Sequence, residues 1–298
     1  MTNTLEVRKK FRAMIEGEGM VIAPGCYDGI TATLIGNAGF DAAYMTGAGT
    51  SMSRGGLPDY GLMTMTEMVA NASMIADAAR VPVVADADTG YGNELNITRT
   101  IKEYEKAGVA AIHIEDQGFP KKCGHLDDKE LIPLPEYVAK IRAAVSAKRD
   151  PNFMLIARTD ARAKLGIEEA IHRANAAIDA GADIAFVEAP QTMDELKAVT
   201  SKVNGPCLFN YVEGGKTPDL TMDQARDLGF KLAILPGMLI RSVIMECESL
   251  LANLKQHNKL PDPNDGIGVR EVFARFDTDY WDDIRVKFAD PDKAEAAE

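Results

Sequence analysis

The sequence predicts an α/β fold in which eight parallel strands alternate with helices to form a (β/α)₈ TIM-type barrel. Its 298 residues suit one large domain, and 46% of them are hydrophobic, enough to fill a substantial core. Short apolar runs alternate along the chain with longer segments of helical periodicity. Most of these runs are continuously apolar rather than alternating with polar residues, which is typical of parallel strands covered on both faces.

The alternation predicts the elements in order. The expected strands are 21–23, 42–46, 81–85, 110–114, 154–157, 184–187, 207–209 and 231–235. The expected helices are 30–38, 66–79, 97–107, 135–148, 167–180, 193–202, 222–228 and 239–254. Eight strand–helix units in about 250 residues agree with the size of a barrel of this kind.

A faint internal repeat supports the barrel. Gly39, Gly108, Gly181 and Gly229 each follow a helix and precede a strand, the second, fourth, sixth and eighth. Glycine accepts the left-handed conformation that commonly ends a helix. The main alternative is a doubly wound open sheet, which would need a Gly-x-Gly-x-x-Gly turn after an early strand, and this sequence has none.

We expect the barrel to occupy residues 1–255. Residues 256–298 form a C-terminal helical extension and tail, either part of the same domain or a subunit interface. The extension contains the only tryptophan, Trp281, in a cluster of aromatic and acidic residues. An extension with such an aromatic anchor usually packs on something, here a neighbouring subunit.

Charge and patterning exclude several classes of protein. The net charge of −12 leaves no basic surface for nucleic acid or an anionic membrane. No segment has the roughly 20 consecutive apolar residues of a membrane span, and residues 1–20 lack the apolar centre of a signal peptide. The four cysteines stand far apart without a Cys-x-x-Cys pair, so a reducing cytoplasm is expected.

Polar residues end successive predicted strands. In a barrel, the carboxyl ends of the strands meet on one rim, where active sites lie. A single polar residue there would be a loop residue or a helix cap, but six successive strands with this feature indicate a functional rim. The residues are Tyr44, Thr46 and Gly47, then Asp86 and Asp88, Glu115, Arg158, Glu188 and Asn210.

Asp86, Asp88 and Glu115 form the acidic part of this rim. Side chains two apart on a strand share a face, so both aspartates project together beside the next strand. Carboxylates without a neighbouring histidine or cysteine ligand suit Mg²⁺ or Mn²⁺ rather than zinc. The alternative is that they cap helices or pair with Arg158 and lysines. We expect a metal at Asp86, Asp88 and Glu115.

The loop after the fourth strand contains Lys121, Lys122, Cys123, Gly124 and His125. Two ammonium groups beside a thiol favour its thiolate form, and His125 is suited to assist proton transfer. An isolated cysteine is usually an inert packing residue, but this charged, glycine-containing loop is poorly suited to burial. We therefore expect Cys123 to be reactive.

Together these motifs resemble the isocitrate lyase/phosphoenolpyruvate mutase superfamily. The resemblance extends over about residues 23–251. It rests on Asp86-Ala87-Asp88-Thr89-Gly90-Tyr91-Gly92, His113-Ile114-Glu115-Asp116-Gln117, Lys121-Lys122-Cys123-Gly124-His125 and Ala157-Arg158-Thr159-Asp160. It implies a barrel whose eighth helix is exchanged between subunits of a dimer-of-dimers homotetramer. It also implies Mg²⁺, a small 2-hydroxy or 2-oxo diacid as substrate, and a mobile loop around Cys123.

Within the superfamily, the Lys-Lys-Cys-Gly-His loop is typical of the carbon–carbon lyases. The expected function is Mg²⁺-dependent cleavage of a 2-hydroxy di- or tricarboxylate, of the 2-methylisocitrate or 2,3-dimethylmalate type, to pyruvate and a carboxylate. The alternatives are an oxaloacetate hydrolase or a phosphonomutase on the same scaffold and, less favoured, a metabolite-binding barrel without catalysis. Tyr211 stands where methionine is often found, which leaves the branch open.

The resemblance also implies roles for individual residues. Cys123 would protonate the departing carbanion, and the backbone at Thr46 and Gly47 would anchor the 2-oxo acid. The expected catalytic residues are Cys123, Lys121, Glu115 and Arg158. The expected substrate-binding residues are Tyr44, Thr46, Gly47, Lys122, Gly124, His125, Arg158, Glu188 and Asn210.

Overall fold

A computed structural model describes residues 3–124, 128–259 and 267–289 of the chain. Eight strands occur in it, and each corresponds to an apolar run of the sequence. They are β1 (Val21–Cys26), β2 (Ala43–Met45), β3 (Val83–Asp86), β4 (Ala111–Glu115), β5 (Met154–Thr159), β6 (Ile184–Val187), β7 (Leu208–Asn210) and β8 (Leu232–Leu235).

All eight strands are parallel, in the order β6-β5-β4-β3-β2-β1-β8-β7. A parallel bridge between Ala185 and Cys207 links the two outer strands, so the sheet is a nearly closed barrel. The register pairs Asp86 with His113 and Glu115 with Arg158. The predicted TIM-type fold is confirmed, and its register sets the positions of the rim side chains.

Helices follow the strands along the chain, and several begin with a side-chain cap. The helices are α1 (Thr4–Glu16), α2 (Gly29–Asn37), α3 (Gly47–Thr50), α4 (Met65–Ala79), α5 (Glu94–Lys106), α6 (Leu134–Ala147), α7 (Arg162–Leu165), α8 (Ile167–Asp179), α9 (Met193–Lys202), α10 (Met222–Asp227), α11 (Met238–His257), α12 (Val269–Ala274) and α13 (Thr278–Ala289). A π-helical turn, Ser51–Gly55, follows α3. The four repeat glycines all have positive φ, between 81° and 103°, as the repeat predicted.

Helix α1 packs at the amino-terminal end of the barrel. Its Phe11 and Ile15 are buried in the same apolar cluster as residues of the strands. Arg8 donates from Nε to the carbonyl of Val109 and from Nη1 to Asp150, at 3.0 and 3.2 Å. Arg12 donates to Asp183 at 2.7 Å. Two arginines of one helix therefore hold the loops at this end together.

The chain divides into two compact units, 1–242 and 243–298, and the barrel strands belong to the first. The second contains the greater part of α11, then α12 and α13. Within it, Tyr280 and Trp281 are in edge-to-face contact, with ring centroids 5.5 Å apart. Both rings, like Phe273 and Phe288, are exposed in the single chain. None of the described helices is long and apolar enough to cross a membrane.

Candidate active site

A cavity of about 220 Å³ opens at the carboxyl ends of the strands. Its lining combines residues of the strand ends, of the loop after β4 and of the start of α11. The lining residues are Tyr44, Thr46, Ala48, Met52, Asp59, Asp86, Cys123, Gly124, Arg158, Phe186, Glu188, Asn210, Val212, Pro236, Gly237, Ile240 and Arg241. Eight of the predicted site residues are among these lining residues: Tyr44, Thr46, Asp86, Cys123, Gly124, Arg158, Glu188 and Asn210.

Asp86 ends β3, and two backbone amides hold its carboxylate. The amide of Asp88 donates to Oδ1 at 2.8 Å, and the amide of Gly47 donates to Oδ2 at 3.2 Å. Burial opposes ionisation, but nearby cations, among them Lys121 and Arg158, outweigh it and lower the pKa of Asp86. Asp86 is therefore a fixed, ionised carboxylate at the base of the cavity. A Cβ at Gly47 would collide with it, so the close approach requires glycine.

Asp88 follows in the left-handed region, with φ of 48°, in a turn where Tyr91 also has positive φ. Strained backbone of this kind is concentrated at functional sites. Burial raises the pKa of Asp88 to about 6, although Lys121 acts in the opposite direction. A cation at this carboxylate would be bound strongly because it replaces lost hydration.

Lys121 pairs with two carboxylates. Its Nζ atom lies 2.8 Å from Asp88 Oδ1 and 2.5 Å from Asp59 Oδ1. Burial would lower the pKa of Lys121, but Asp88, Glu115 and Asp59 outweigh it and raise the pKa well above its usual value. The lysine therefore remains charged in a buried position. Asp59 lies outside any strand, so the sequence pattern gave no signal for it.

Glu115 and Arg158 face each other across β4 and β5. Arg158 Nη1 lies 3.2 Å from Glu115 Oε2, without the alignment of a hydrogen bond, so both carboxylate oxygens of Glu115 lack a hydrogen-bond partner among the described residues. Burial raises the pKa of Glu115 well above its usual range. Arg158 is held instead by Asp160, to which it donates at 2.9 and 3.2 Å. Glu115 is thus available to another group.

Tyr44 and His113 form a buried pair beside Asp86. The Tyr44 hydroxyl lies 2.8 Å from His113 Nε2, which is 3.6 Å from Asp86 Oδ1. Burial lowers the pKa of His113 to about 4, so the imidazole is neutral at pH 7. Burial also raises the pKa of Tyr44 well above its usual value, which keeps the phenol protonated. Tyr44 and His113 are therefore polar but uncharged neighbours of the Asp86 carboxylate.

The loop after β4 brings Cys123 and Gly124 to the cavity but not Lys122. The backbone of Lys122 is held by the side-chain amide of Gln117, which donates to its carbonyl at 2.8 Å and accepts from its amide at 3.0 Å. Lys122 is not one of the residues that line the cavity. Cys123 is half-buried, and none of the four cysteines, all described, forms a disulfide. His125 lies outside the described residues.

Glu188 and Asn210 lie at the ends of β6 and β7. Asn210 Nδ2 donates to Glu188 Oε2 at 3.1 Å, and Arg158 Nη2 is 3.8 Å from Glu188 Oε1. The Oδ1 atom of Asn210 is buried and has no hydrogen-bond partner in the described structure. The two side chains therefore connect to Arg158 and leave one acceptor for a bound molecule.

The lining of the cavity also contains apolar residues, here called the apolar wall. They are Ala48, Met52, Phe186, Val212, Pro236 and Ile240. The sequence pattern did not reveal this wall, because its residues come from separate segments with ordinary core composition. A cavity whose lining combines charged groups with apolar side chains suits a small acid that carries alkyl substituents.

The acidic residues of the site are the candidate ligands for a metal ion. Among the residues that the structure describes, no three histidine, cysteine or acidic side chains converge as a ready ligand set. The carboxylates pair with Lys121 and Arg158, as in the alternative considered above. Mg²⁺, however, usually binds through one or two carboxylates and keeps several waters. Asp86 and Asp88 would supply two such oxygen ligands, and the oxygens of Glu115, which have no hydrogen-bond partner among the described residues, would suit contact through water. The donor chemistry fits Mg²⁺.

Comparison with known proteins agrees with this geometry. Residues 11–255 match the phosphoenolpyruvate phosphomutase family. A 2,3-dimethylmalate lyase of Eubacterium barkeri is 52% identical over 76% of this chain and 78% of its own length. A 2-methylisocitrate lyase of Aeropyrum pernix is 43% identical over 88% of this chain and 84% of its own.

Solved structures show the same similarity. A crystal structure of 2,3-dimethylmalate lyase superposes with a TM-score of 0.90 at 37% identity, covering 96% of each chain. The structure of oxaloacetate acetylhydrolase in complex with 3,3-difluorooxalacetate superposes with a TM-score of 0.89 at 37% identity. It covers 95% of this chain and 96% of the other. The structure of phosphonopyruvate hydrolase in complex with oxalate and Mg²⁺ superposes with a TM-score of 0.86 at 28% identity. It covers 95% of this chain and 99% of the other.

Proposed function

Because this chain belongs to the phosphoenolpyruvate mutase/isocitrate lyase superfamily, we propose that it is a Mg²⁺-dependent carbon–carbon lyase. Its substrate would be a 2-hydroxy di- or tricarboxylate with an alkylated C3, of the 2,3-dimethylmalate class, with 2-methylisocitrate as the next candidate. The products would be pyruvate and a second carboxylate. The observation that carries the proposal is the cavity itself, which combines Arg158 and Asp86, an apolar wall and the thiol-bearing Cys123.

The charged residues at the cavity, Asp86 and Arg158 among them, would bind the 2-hydroxy acid end of the substrate. Mg²⁺ held by Asp86 and Asp88 would lower the pKa of the substrate hydroxyl and stabilise negative charge on its oxygen. Arg158 would bind a substrate carboxylate through its guanidinium fork. Asp160 fixes that guanidinium from behind, which orients it before substrate arrives.

Glu115, which does not itself line the cavity, would accept the proton of the C2 hydroxyl through a bridging water. Its two oxygens have no hydrogen-bond partner in the described structure, and its raised pKa suits a group that takes up a proton. The C2–C3 bond then breaks. Its electron pair moves toward the C3 carboxylate, which becomes a dianionic enediolate, while C2 becomes the carbonyl of pyruvate.

Cys123 would complete the reaction by donating its thiol proton to C3. The released carboxylate then leaves, the thiolate recovers a proton from solvent, and Glu115 gives to solvent the proton that it took from the C2 hydroxyl. Glu188 and Asn210 would act at the same end of the substrate, Glu188 through its contacts with Arg158 and Asn210. These groups are already in place, so they would stabilise the negative charge as it develops.

Oxaloacetate hydrolysis is the second candidate, because oxaloacetate acetylhydrolase is as similar in structure as the dimethylmalate lyase. The apolar wall of Met52, Val212 and Ile240 favours the first candidate. Oxaloacetate has no alkyl group at C3 to contact this wall. Both reactions leave a carbanion at C3 that must be protonated, so the substrate rather than the proton donor distinguishes the two candidates.

The test is pyruvate release from 2,3-dimethylmalate and from 2-methylisocitrate, coupled to lactate dehydrogenase, with Mg²⁺ and with EDTA. Oxaloacetate is assayed in parallel by oxalate formation. We expect EDTA-sensitive turnover of one lyase substrate, lowered about 10²-fold or more in Cys123→Ser. Cys247→Ser, at the exposed cysteine, is the matched control. Turnover of oxaloacetate alone would replace the lyase by the hydrolase, and no turnover by folded protein would reject both.

A further inference from the structure

Lys129 belongs to the loop between β4 and α6, and its ammonium contacts both Gly124 of the same loop and Asp160, which follows β5. Its side chain is buried, with 2% of its surface exposed. The ammonium lies 2.9 Å from Asp160 Oδ1 and also donates to the carbonyl of Gly124. Lys129 does not line the cavity, so it does not meet the substrate directly.

Asp160 connects Lys129 to the arginine of the site. One carboxylate oxygen of Asp160 accepts from both Lys129 and Arg158 Nη2, and the other accepts from Arg158 Nε at 2.9 Å. The amide of Asp160 donates to Asp116 at 2.8 Å, which fixes the backbone. Burial would raise the pKa of Asp160, but Arg158 and Lys129 lower it to about 2. The carboxylate is an ionised anchor shared by two cations.

Gly124 approaches the same arginine from the loop. A Cβ at this position would collide with Glu188 Oε1 and Arg158 Nη2, so the backbone of Gly124 is seated against both side chains. Cys123 is the preceding residue and lines the cavity. The position of the thiol relative to Arg158 therefore depends on what holds Gly124.

We propose that Lys129 is a positioning residue that sets the Cys123 thiol relative to Arg158 by bonding Gly124 and Asp160 with one ammonium group. A buried ammonium needs all the acceptors it can reach, because an unpaired buried charge is costly. Movement of Gly124 away from the site would take its carbonyl from the Lys129 ammonium, which among the described residues would then keep only Asp160 as an acceptor. The loop position that places the thiol at the cavity is therefore favoured. This role rests on the proposed lyase function, since it concerns proton donation by Cys123.

Lys129→Met tests the proposal by removing the charge while keeping a long side chain. We expect kcat to fall about 10²-fold, the usual cost of a small misplacement of a reacting group, with KM within about threefold. Lys129→Arg keeps the charge but cannot reproduce the geometry, so we expect an intermediate kcat. Lys164→Met, at an exposed lysine of α7, is the control.

Alkylation of Cys123 by iodoacetamide gives a readout that needs no turnover. It is measured by mass spectrometry in a Cys247→Ser background, with Cys26 and Cys207 buried. We expect Lys129→Met to alter the alkylation rate of Cys123 at least about fivefold at unchanged pH, since the thiol is no longer held. If Lys129→Met does not fold, Lys129→Arg carries the test, with a change of at least about twofold.

An alkylation rate equal to wild type in folded Lys129→Met, or in Lys129→Arg if only that variant folds, would overturn the proposal. So would a fall in kcat matched by an equal rise in KM, which would indicate weaker binding rather than a displaced thiol. If the wild-type protein turns over no lyase substrate, the proposed function fails. The alkylation rates still decide whether Lys129 positions the thiol.

Discussion

The Nζ atom of Lys121 lies 2.8 Å from Oδ1 of Asp88, a carboxylate that we propose as a magnesium ligand. The same ammonium pairs with Asp59, and all three side chains are largely withdrawn from water. Without Mg²⁺, Lys121 is thus the main neutralising charge for two carboxylates. The lysine and the metal perform the same electrostatic task, which makes their contributions to stability interdependent.

Lys121→Met should destabilise the metal-free protein by about 3–5 kcal/mol, the usual cost of breaking a buried ion pair from one side. Mg²⁺ should recover part of this loss, because the ion neutralises the carboxylates left unpaired. Urea unfolding with EDTA and with Mg²⁺ measures both effects. Lys106→Met breaks an exposed pair with Glu103 and should change stability by about 1 kcal/mol or less. An equal loss with and without Mg²⁺ would contradict the interdependence.

Gly47→Ala should weaken Mg²⁺ binding at least about tenfold while the barrel remains folded, because the new methyl group collides with the carboxylate of Asp86. Isothermal titration with Mg²⁺, together with the circular dichroism spectrum, separates the two effects. Gly268→Ala is the control, since its Cβ would meet only Glu271 Oε2 at 3.4 Å. Unchanged affinity would show that Asp86 does not hold the metal.

His113 should make the protein less stable in acid. Its pKa in the fold is about 4, below the ordinary 6.5, so the unfolded chain binds a proton at pH values where the folded chain does not. The stability is fully present above pH 6.5 and declines as pH falls toward 4. The loss attributable to His113 is about 2–3 kcal/mol. Unfolding free energies of wild type and His113→Gln at pH 7.5 and 4.5 test it.

In that comparison, the acid-induced loss should be smaller in His113→Gln than in wild type. His172→Gln, at an exposed position of α8, should keep the wild-type dependence. Equal pH dependence in all three proteins would show that His113 is not held neutral by burial.

Val212→Thr should reduce the preference for alkylated substrates. The hydroxyl replaces a methyl group on the apolar wall, and one methyl-sized contact changes transition-state binding by about 1–3 kcal/mol. We expect the ratio of kcat/KM for 2,3-dimethylmalate to that for malate to fall at least about fivefold. The matched control is Val286→Thr, since Val286 is exposed on α13. A constant ratio would remove the wall from substrate selection.

The strands could be predicted from the sequence because parallel strands buried on both faces require nearly continuous apolar runs. The rim followed from the same pattern, since the first polar residue after such a run marks a carboxyl end. Asp86, Glu115 and Arg158 were found in this way. Asp59 was not, because it lies between α3 and α4 in a segment without regular structure, where no periodicity marks its position.

The directions in which side chains point also could not be predicted from the sequence. Lys121 and Lys122 are adjacent and chemically identical, yet only Lys121 turns toward the carboxylates. Gln117 determines this by bonding both backbone groups of Lys122, a contact between residues five apart in a loop. The resemblance implied a catalytic role for Lys121 and a substrate-binding role for Lys122, whereas among the described residues only Lys121 is paired with the acidic groups. The short helix Gly47–Thr50 was also missed, because its glycine content suggests a turn.

Arg8 and Arg12 of α1 have a consequence for how the substrate preference of this barrel can change. Arg8 and Arg12 tie together loops at the end of the barrel opposite the cavity. Loops at the cavity can therefore be replaced without breaking the hydrogen bonds of these arginines. The strands remain fixed at their amino-terminal ends, so their carboxyl ends keep their positions around the cavity. Engineering a new substrate preference should accordingly tolerate many exchanges around the cavity, while truncation of the first 16 residues should impair folding of every resulting variant.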